Sequence, residues 1–303
     1  MTRPWPKRPG ACDASAEMPE VERAEAFELT PDGLALRTLH WPAAMPPWAS
    51  VLLVHGLGEH AGRYDHVARR MAAAGVDVHG FDHRGFGASS GPRAYVQRWS
   101  LLHDDLQARL EAVRAAAGGL PVVLYGHSMG GLIVLGYVLA DNPRPLPDLV
   151  VLTSPGLDST IAAWKQAVAP VLGRIAPRLR IPNGFNAGDL SRDPAVDARL
   201  ADDPLALRSS TARLGAAGFA EQARVRSLLA AGVPLPVSMY VIHGSDDPIV
   251  PVAASASLPD GRPNVTRRVY PGLRHETHNE PEGPSVVDDT IAWLRAAVAV
   301  SRR

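Results

Sequence analysis

The stretch Pro121 to Leu135 most restricts what this chain can fold into, because it compresses a strand, a tight turn and the start of a helix around one serine. An apolar run precedes Gly126, and a second apolar segment runs from Leu132 to Ala140. Gly126 and Gly130 flank Ser128 at two-residue offsets, the GxSxG pattern of a nucleophile elbow. In such a turn the serine backbone is strained, and side chains at the flanking positions would block the approach of helix to strand.

A second copy of the pattern shows that five residues alone are a weak signal. Gly87-Ala88-Ser89-Ser90-Gly91 matches it as well, but this copy follows a loop-like stretch and precedes Pro92, with no apolar helix behind it. Ser128 is therefore the predicted nucleophile, and Ser89 is the rejected alternative. The Ser128 side-chain oxygen would project above a sheet, near the N–H groups of Ser128 and Met129 at a helix N-terminus.

The rest of the chain alternates short apolar strands with helical segments. A hairpin is predicted around Pro31-Asp32-Gly33. Further strands are predicted at Ser50–Val54, Val76–Phe81, Val122–Tyr125, Leu149–Thr153, Val237–Ile242 and Val265–Tyr270. Helices are predicted near Gly62–Ala74, Leu101–Ala117, after Ser128, and near Val252–Ser257 and Ser285–Val298. This alternation predicts an α/β fold, a mostly parallel sheet with helices on both faces.

The alternation breaks between Gly156 and about Val233, and this break sets the predicted domain organisation. An insertion after a core strand would lie over the C-terminal ends of the strands, where α/β sheets bind ligands. We predict a flexible tail over 1–23, an α/β core over 24–156 and 234–303, and an inserted helical cap over 157–233. We interpret the apolar stripe of the cap as packing against the body, with a membrane-docking face as the alternative. The stripe comprises Ile161, Trp164, Val168, Val171, Leu172 and Ile175.

Composition disfavours several classes of protein. The 31 basic and 31 acidic residues give zero formal net charge, so nothing steers the protein toward nucleic acid. Cys12 is the single cysteine; it cannot form an internal disulfide and is interpreted as an exposed thiol. The sequence contains no recognisable secretory signal and no apolar run long enough to span a bilayer, so cytoplasmic residence is the expectation.

A serine hydroxyl is a poor nucleophile until a base takes its proton, and a third group must orient that base. Two acids and two histidines stand in the loops after the last two predicted strands. Asp247 is preferred to Asp246 because it directly precedes a Pro-Ile-Val run, and Asp246 is better suited to bracing the turn. His275 is preferred to His278 because it closes the loop straight after the strand. The alternatives stay open at this point.

The loop His55–Ala61 has two competing interpretations. In one, Leu57 donates its backbone N–H beside that of Met129 to form an oxyanion hole. In the other, the loop is a dinucleotide fingerprint, GxGxxA, with Asp82 at the expected later position. Against NAD binding, Glu59 would place negative charge beside a pyrophosphate, and the serine elbow would have no explanation.

Metal binding is a second rival, suggested by eleven histidines that include His275 and His278 three residues apart. The HExxH pattern and a thiolate cluster are both absent from the sequence. Most other histidines are interpreted as surface or hydrogen-bonded residues; examples are His40, His66 and His103. We therefore predict neither a metal nor a cofactor for the reaction.

Five motifs, in order, resemble the monoacylglycerol lipase and lysophospholipase-like branch of the α/β-hydrolases: His55–Tyr64, Asp82–Ser89, Gly126–Gly131, Gly244–Asp247 and Gly272–His275. The resemblance extends from about residue 26 to the C-terminus. It implies a serine esterase whose cap shapes an acyl-chain tunnel with a polar end for glycerol. It also favours Asp247 and His275 by position and makes Ser89 part of a structural loop. Within the cap the similarity is local, at Leu190–Pro194 and Asp203–Leu205.

The combined prediction is a serine carboxylic ester hydrolase acting on small lipid-like esters, monoacylglycerols first, through Ser128, His275 and Asp247 and an acyl-enzyme intermediate. A lysophospholipase or a general carboxylesterase of the same fold is the alternative. From other classes, an NAD-dependent oxidoreductase and a non-catalytic hydrolase-like binding protein are kept in view. Oligomeric state is left open.

Overall fold

The computed structural model describes residues 21–142 and 144–301. Its strands are β1 (Ala24–Leu29), β2 (Ala35–Trp41), β3 (Ala49–Val54), β4 (Val76–Phe81), β5 (Val122–His127), β6 (Leu149–Thr153), β7 (Arg180–Pro182), β8 (Ser209–Thr211), β9 (Ser238–Gly244) and β10 (Val265–Tyr270). Its helices are α1 (Asp65–Ala73), α2 (Ser100–Ala116), α3 (Met129–Val138), α4 (Ala163–Ile175), α5 (Pro194–Asp202), α6 (Ala212–Ala230) and α7 (Gly283–Ser301). Single 3₁₀ turns occur at Ala61–Tyr64 and Val252–Ser255.

Eight strands form the main sheet, in the order β1-β2-β4-β3-β5-β6-β9-β10. β2 pairs antiparallel with both β1 and β4, and every other neighbouring pair is parallel. The predicted hairpin and the predicted mostly parallel sheet are confirmed. Because β3, β5, β6, β9 and β10 run in one direction, the loops that follow them meet at one edge of the sheet.

Helices cover both faces of the sheet, as predicted. Alternate residues of the central strands point to opposite faces, so Leu52 and Leu124 pack with α2 and α3 while Val51 and Val123 pack with α1 and α7. Every residue of β3, β5 and β6 is buried. This coverage on both faces explains the unbroken apolar runs of these strands, since a strand with one solvent-exposed face would alternate apolar and polar residues.

Most predicted element boundaries lie within a few residues of the observed ones, and the departures have local causes. β5 extends through Gly126 and His127, because His127 pairs with Thr153 of β6. Only Ser128 then separates β5 from α3. The helix predicted near Val252 is a single 3₁₀ turn.

The segment 157–233 lies between β6 and β9, which are adjacent in the sheet. It contains α4, α5 and α6, and also the antiparallel pair β7 and β8, which the sequence prediction of an all-helical insert missed. The segment touches the core loops: the Leu207 N–H donates to Gly58 O at 2.7 Å, and Gln222 donates to Gly156 O. Its standing as a separate cap domain stays a prediction.

The expectation that the apolar stripe of this segment packs against the body is wrong. Trp164 is 67% exposed, Val171 57% and Ile175 72%. Of the residues of α4, only Gly173 is buried. The stripe therefore faces away from the core.

The predicted flexible tail over 1–23 falls mostly on residues 1–20, which lie outside the described residues, as does Cys12. Packing already begins at Val21, which is 4% exposed and whose carbonyl oxygen accepts a hydrogen bond from Arg69. Across the described residues, no helix is both long enough and apolar enough to cross a lipid bilayer.

Candidate active site

The turn between β5 and α3 holds Ser128 in a backbone conformation that residues other than glycine rarely adopt, with φ 51° and ψ −116°. Three backbone hydrogen bonds hold it there. The Ser128 N–H donates to Thr153 O at 3.0 Å, and its carbonyl oxygen accepts from the N–H groups of Gly156 and Leu132. Such a conformation costs about 1–3 kcal/mol and persists only where surrounding contacts enforce it.

The glycines of the elbow are required by close packing between backbones. A Cβ atom on Gly130 would lie 2.0 Å from the carbonyl oxygen of Val54, and one on Gly126 would lie 2.8 Å from the carbonyl oxygen of Gly130. Real Cβ atoms do not approach backbone oxygens so closely. The GxSxG spacing therefore reflects the contact of α3 with both β5 and the end of β3.

The structure brings the three predicted side chains, Ser128, His275 and Asp247, into one hydrogen-bonded chain. His275 Nε2 lies 2.9 Å from Ser128 Oγ, and His275 Nδ1 lies 2.8 Å from Asp247 Oδ2. Since an ionised carboxylate only accepts, Nδ1 carries the imidazole proton, and Nε2 is left to accept from the serine hydroxyl. His275 is 2% exposed and Asp247 8%.

Three hydrogen-bond donors fix the direction of the Asp247 carboxylate. Oδ1 accepts the N–H groups of Ile249 and Val250, each at 2.9 Å. Oδ2 accepts from His275 and lies 3.2 Å from His243 Nε2. Burial alone would raise the pKa of Asp247, but the neighbouring His275 and the donated hydrogen bonds hold it well below its ordinary value. The carboxylate is therefore ionised at neutral pH.

The pairing with Asp247 also shifts the pKa of His275. Burial alone would lower the pKa of His275, whereas the charge of Asp247 and its hydrogen bond raise it, and the net shift is upward. His127 lies beside it with ring centroids 4.9 Å apart, and burial lowers the pKa of His127 to about 3, so this neighbour stays neutral. His275 is thus the more basic of these two neighbouring imidazoles.

The rejected alternatives have other surroundings. Asp246 is exposed and accepts from Ser245 Oγ at 2.6 Å. His278 is stacked on Tyr64 with ring centroids 5.0 Å apart, and neither of its ring nitrogens has a hydrogen-bond partner among the described residues.

Ser89, in the second copy of the GxSxG pattern, is also engaged elsewhere. It is buried, its Oγ donates to Asp82 O at 2.6 Å, and the same Oγ accepts the Arg37 N–H at 2.9 Å. Both hydrogen-bonding roles of that hydroxyl are used within the fold. The Ser89 loop is therefore structural, as the resemblance implied.

The loop after β3 lies directly against the serine. A Cβ on Gly56 would lie 3.2 Å from Ser128 Cβ. Leu57 follows in this loop, and Met129 is the first residue of α3, whose N–H has no partner within the helix. In the part of the chain that is described, neither the Leu57 N–H nor the Met129 N–H donates a hydrogen bond. Both N–H groups therefore lack a partner among the described residues.

A buried ion cluster behind the site was not predicted. Arg63 lies between two carboxylates, with Nη1 3.3 Å from Glu59 Oε2 and Nη2 2.9 Å from Glu276 Oε2. Glu59 Oε1 also accepts the Gly56 N–H and the Tyr64 hydroxyl. The i, i+4 spacing of Glu59 and Arg63 was a readable signal, whereas nothing in the sequence connected either residue to Glu276.

The two carboxyl groups of the cluster have pKa values shifted in opposite directions. Burial raises the pKa of Glu59, and the neighbouring Glu276 raises it further against the opposing effect of Arg63. Burial would also raise the pKa of Glu276, but Arg63 outweighs it and the net shift is downward. Glu276 is therefore the ionised partner of Arg63 at neutral pH.

The geometry of the loop after β3 disfavours dinucleotide binding. A pyrophosphate in such a loop binds free backbone N–H groups at the start of the helix. Here the Gly56 N–H donates to the Glu59 carboxylate and the Ala61 N–H donates to Asp82 Oδ1 at 2.8 Å. Two of the required donors are already used by acidic side chains.

The fold and its solved neighbours define the class of protein: the chain is a hydrolase with the α/β-hydrolase fold. It belongs to the serine aminopeptidase S33 family, whose sequence profile matches residues 45–282. The resemblance read from the five motifs is confirmed.

Individual relatives agree with this assignment. A monoacylglycerol lipase of Mycolicibacterium smegmatis is 37% identical over 265 residues, which are 84% of this chain and 90% of the relative. The crystal structure of Paleococcus ferrophilus monoacylglycerol lipase superposes with a TM-score of 0.75 at 28% identity, covering 92% of this chain and 99% of that one. A soluble variant of monoglyceride lipase from Saccharomyces cerevisiae, in complex with a substrate analog, has a TM-score of 0.82 at 23% identity, covering 94% and 98%. This last likeness concerns the fold.

Proposed function

We propose that the protein hydrolyses carboxylic esters of lipid-like substrates, monoacylglycerols first, with Ser128 as nucleophile, His275 as base and Asp247 as the group that orients the base. The observation that carries the proposal is the continuous hydrogen-bonded chain from Asp247 through His275 to Ser128, with distances of 2.8 and 2.9 Å. Its relative from Mycolicibacterium smegmatis is named a monoacylglycerol lipase, which supports the choice of substrate.

The first half of the reaction forms an acyl-enzyme. His275 Nε2 takes the proton of Ser128 Oγ as the oxygen attacks the ester carbonyl carbon. The N–H groups of Leu57 and Met129 stabilise the negative oxygen of the tetrahedral intermediate, a contribution of about 10²–10³ in rate for a single donor. The imidazolium, stabilised by ionised Asp247, then gives its proton to the departing alcohol.

The second half releases the acid. Water takes the place of the alcohol, His275 accepts its proton, and the resulting hydroxide attacks the acyl carbon. The second tetrahedral intermediate collapses, Ser128 Oγ recovers a proton from His275, and the carboxylic acid leaves. Apart from the ester and this water molecule, each step uses only groups of the chain.

Aminopeptidase activity, which the family description names, is disfavoured by charge. An α-amino group that is charged and removed from water needs a carboxylate as counter-charge. Two buried carboxylates near the site, Glu59 and Glu276, are both paired with Arg63. Neither is free to act as counter-ion to an ammonium group.

We also propose that α4 brings the site to lipid surfaces. Trp164, Val171 and Ile175 are exposed, and Lys165 and Arg174 stand among them as exposed cations. An apolar stripe with basic flanks fits an anionic bilayer surface, where aromatic and aliphatic side chains enter the interface and cations meet headgroups.

The catalytic assignment is tested by labelling with a fluorophosphonate probe. We expect Ser128→Ala to abolish labelling, and Ser89→Ala to retain it at matched amounts of folded protein. Labelling that survives in Ser128→Ala and disappears in Ser89→Ala would contradict the assignment.

The substrate is tested by a hydrolysis profile of the wild-type protein. Monoacylglycerols of increasing chain length, lysophospholipids, short synthetic esters and amino-acid arylamides form the panel. We expect the highest kcat/KM on a monoacylglycerol and none on the arylamides. A preference for lysophospholipids or short esters would favour the lysophospholipase or the general carboxylesterase instead. Saturable quenching of protein fluorescence by NADH would favour the oxidoreductase.

The membrane proposal has its own measurement, co-sedimentation with vesicles. Wild-type protein should bind phosphatidylglycerol vesicles more than phosphatidylcholine vesicles, and Trp164→Ser with Ile175→Ser should reduce binding. Phe27→Ser is the matched control, because Phe27 is 56% exposed on β1, outside the stripe. Equal loss in the control variant would contradict a specific role for α4.

A further inference from the structure

Two histidines and one aspartate form a compact cluster on the antiparallel part of the sheet. His40 of β2 lies directly opposite His79 of β4 in the strand register. Asp77 is two residues before His79, so its side chain projects from the same face of β4. Three side chains with metal-binding atoms are therefore brought to one point by the pairing of two strands.

The cluster has a common focus. His40 Nε2 lies 2.9 Å from Asp77 Oδ1, and His79 Nε2 lies 2.8 Å from Asp77 Oδ2. The two imidazole rings are stacked, with centroids 4.4 Å apart and planes within 7°. Both rings thus present the same nitrogen toward the same carboxylate. One ligand atom from each of the three residues lies within 4.8 Å of the other two.

From this geometry we propose that His40, Asp77 and His79 bind a divalent first-row transition metal ion of the Zn²⁺ type. Two imidazole nitrogens and one carboxylate oxygen form a donor set that suits Zn²⁺, Co²⁺ and Ni²⁺. Binding needs only small changes. The ion takes the place of the two hydrogen bonds between the imidazole Nε2 atoms and the Asp77 carboxylate. Each ring then carries its proton on Nδ1 instead of Nε2.

The surroundings allow an ion to enter and to complete its coordination. The side chains of His40, Asp77 and His79 are 39%, 22% and 18% exposed. A cavity of about 270 Å³ between the sheet and α2 is lined in part by His40 and His79, together with Thr38 and Arg109. A water molecule therefore fits beside the cluster and supplies the fourth ligand.

The site is structural and lies apart from the proposed reaction. In the strand register Asp77 pairs with Ser50 of β3, and Ser50 pairs with Val122 of β5. Val122 precedes Ser128 by six residues, about 20 Å of extended strand. A metal at this position would clamp β2 to β4, which is the junction between the antiparallel and parallel parts of the sheet.

The proposal is tested on the full-length protein without an affinity tag, titrated with Co²⁺ and then with Zn²⁺. We expect visible Co²⁺ absorption that saturates at one ion per chain and is displaced by Zn²⁺, and a melting temperature that rises with Zn²⁺. His40→Gln and His79→Gln should each weaken Co²⁺ binding at least about tenfold. Loss of a residue that only hydrogen-bonds to a metal ligand already lowers metal affinity by about that factor, and loss of the ligand itself should lower it at least as much. Glutamine keeps a donor for Asp77, which favours folding of both variants.

His66→Gln is the matched control and should leave Co²⁺ affinity unchanged. Should either glutamine variant fail to fold by circular dichroism, Asp77→Asn serves the same purpose and should also lose affinity. The absence of saturable Co²⁺ absorption would overturn the site, leaving a hydrogen-bonded cluster. So would loss of binding in His66→Gln with full binding in His40→Gln.

Discussion

Arg63 Nη2 lies 2.9 Å from Glu276 Oε2, although 213 residues separate the two positions along the chain. Arg63 also contacts Glu59, whose carboxylate holds the Gly56 N–H of the loop that carries Leu57. Glu276 directly follows His275. The Arg63 guanidinium, whose side chain is 13% exposed, therefore connects the proposed oxyanion loop to the loop of the proposed base.

Replacement of Arg63 by glutamine should destabilise the protein strongly, because two buried carboxylates lose their counter-charge. We expect the free energy of unfolding at pH 8 to fall by about 3–5 kcal/mol, measured by urea denaturation. Without Arg63, burial raises the pKa of both carboxyl groups above their unfolded values, so the native state binds more protons than the unfolded state. The deficit should accordingly shrink as pH falls toward 5.

Arg98→Gln is the control for that experiment, since its side chain is 62% exposed and its distance to Asp104 is 3.9 Å. This variant should stay within about 0.5 kcal/mol of wild type. A similar loss in both variants would show that the Arg63 cluster has no special role.

Asp247→Asn should lower kcat by about four orders of magnitude, by analogy with the serine protease triad. The amide cannot supply the negative charge that stabilises the imidazolium, and it favours the wrong tautomer of His275. Steady-state hydrolysis of a short ester measures the effect. Asp246→Asn should stay near wild type, because Asp246 is exposed and bonded to Ser245. A loss confined to Asp246→Asn would transfer the role to that residue.

The pH dependence of kcat/KM should report His275. The base must be neutral to accept the serine proton, and its pKa in the folded protein is raised above the ordinary 6.5 by Asp247. Activity should therefore increase as pH rises, with a midpoint above 6.5. In Asp247→Asn the residual activity should have a lower midpoint, because the carboxylate no longer raises the pKa. A wild-type midpoint at or below 6.5 would contradict the assignment of His275.

Gly130→Ala should prevent normal folding or cost several kcal/mol, since its Cβ would lie 2.0 Å from Val54 O. Gly215→Ala provides the opposite case within another helix, because no atom beyond the neighbouring helix backbone lies within 4 Å of the added Cβ. That variant should be stabilised by about 0.5–1 kcal/mol, the helix propensity difference between the two residues. Thermal or urea unfolding distinguishes the two, and equal effects would refute the packing explanation.

How far sequence reasoning reached differs among the site residues. Ser128 could be singled out because strand, turn and helix are encoded by neighbouring residues. The preferences for Asp247 and His275 came from chain order and from the resemblance. In the structure Asp247 is hydrogen-bonded to His275, and His275 is hydrogen-bonded to Ser128. Their roles, the domain boundaries and cytoplasmic residence stay predictions.

Other features had no local signal. The hydrogen bond from Ser154 Oγ to His275 O at 2.8 Å and the pairing of Arg63 with Glu276 both join segments far apart in sequence. A single sequence gives no distance between such segments. The apolar period of α4 was visible, yet amphipathicity indicates only that one face is apolar and leaves open what that face contacts.

The sequence by itself determined the order of strands and helices in the α/β core, the strained serine turn and the short list of chemical groups, because these depend on hydrophobic period and local backbone geometry. Only the tertiary structure decided which histidine meets Ser128 and which acid meets that histidine, that Glu276 pairs with Arg63, that the α4 stripe is exposed, and that His40 stacks on His79. Each of these depends on which strands become neighbours, and burial and charge pairing arise from that arrangement of the whole sheet.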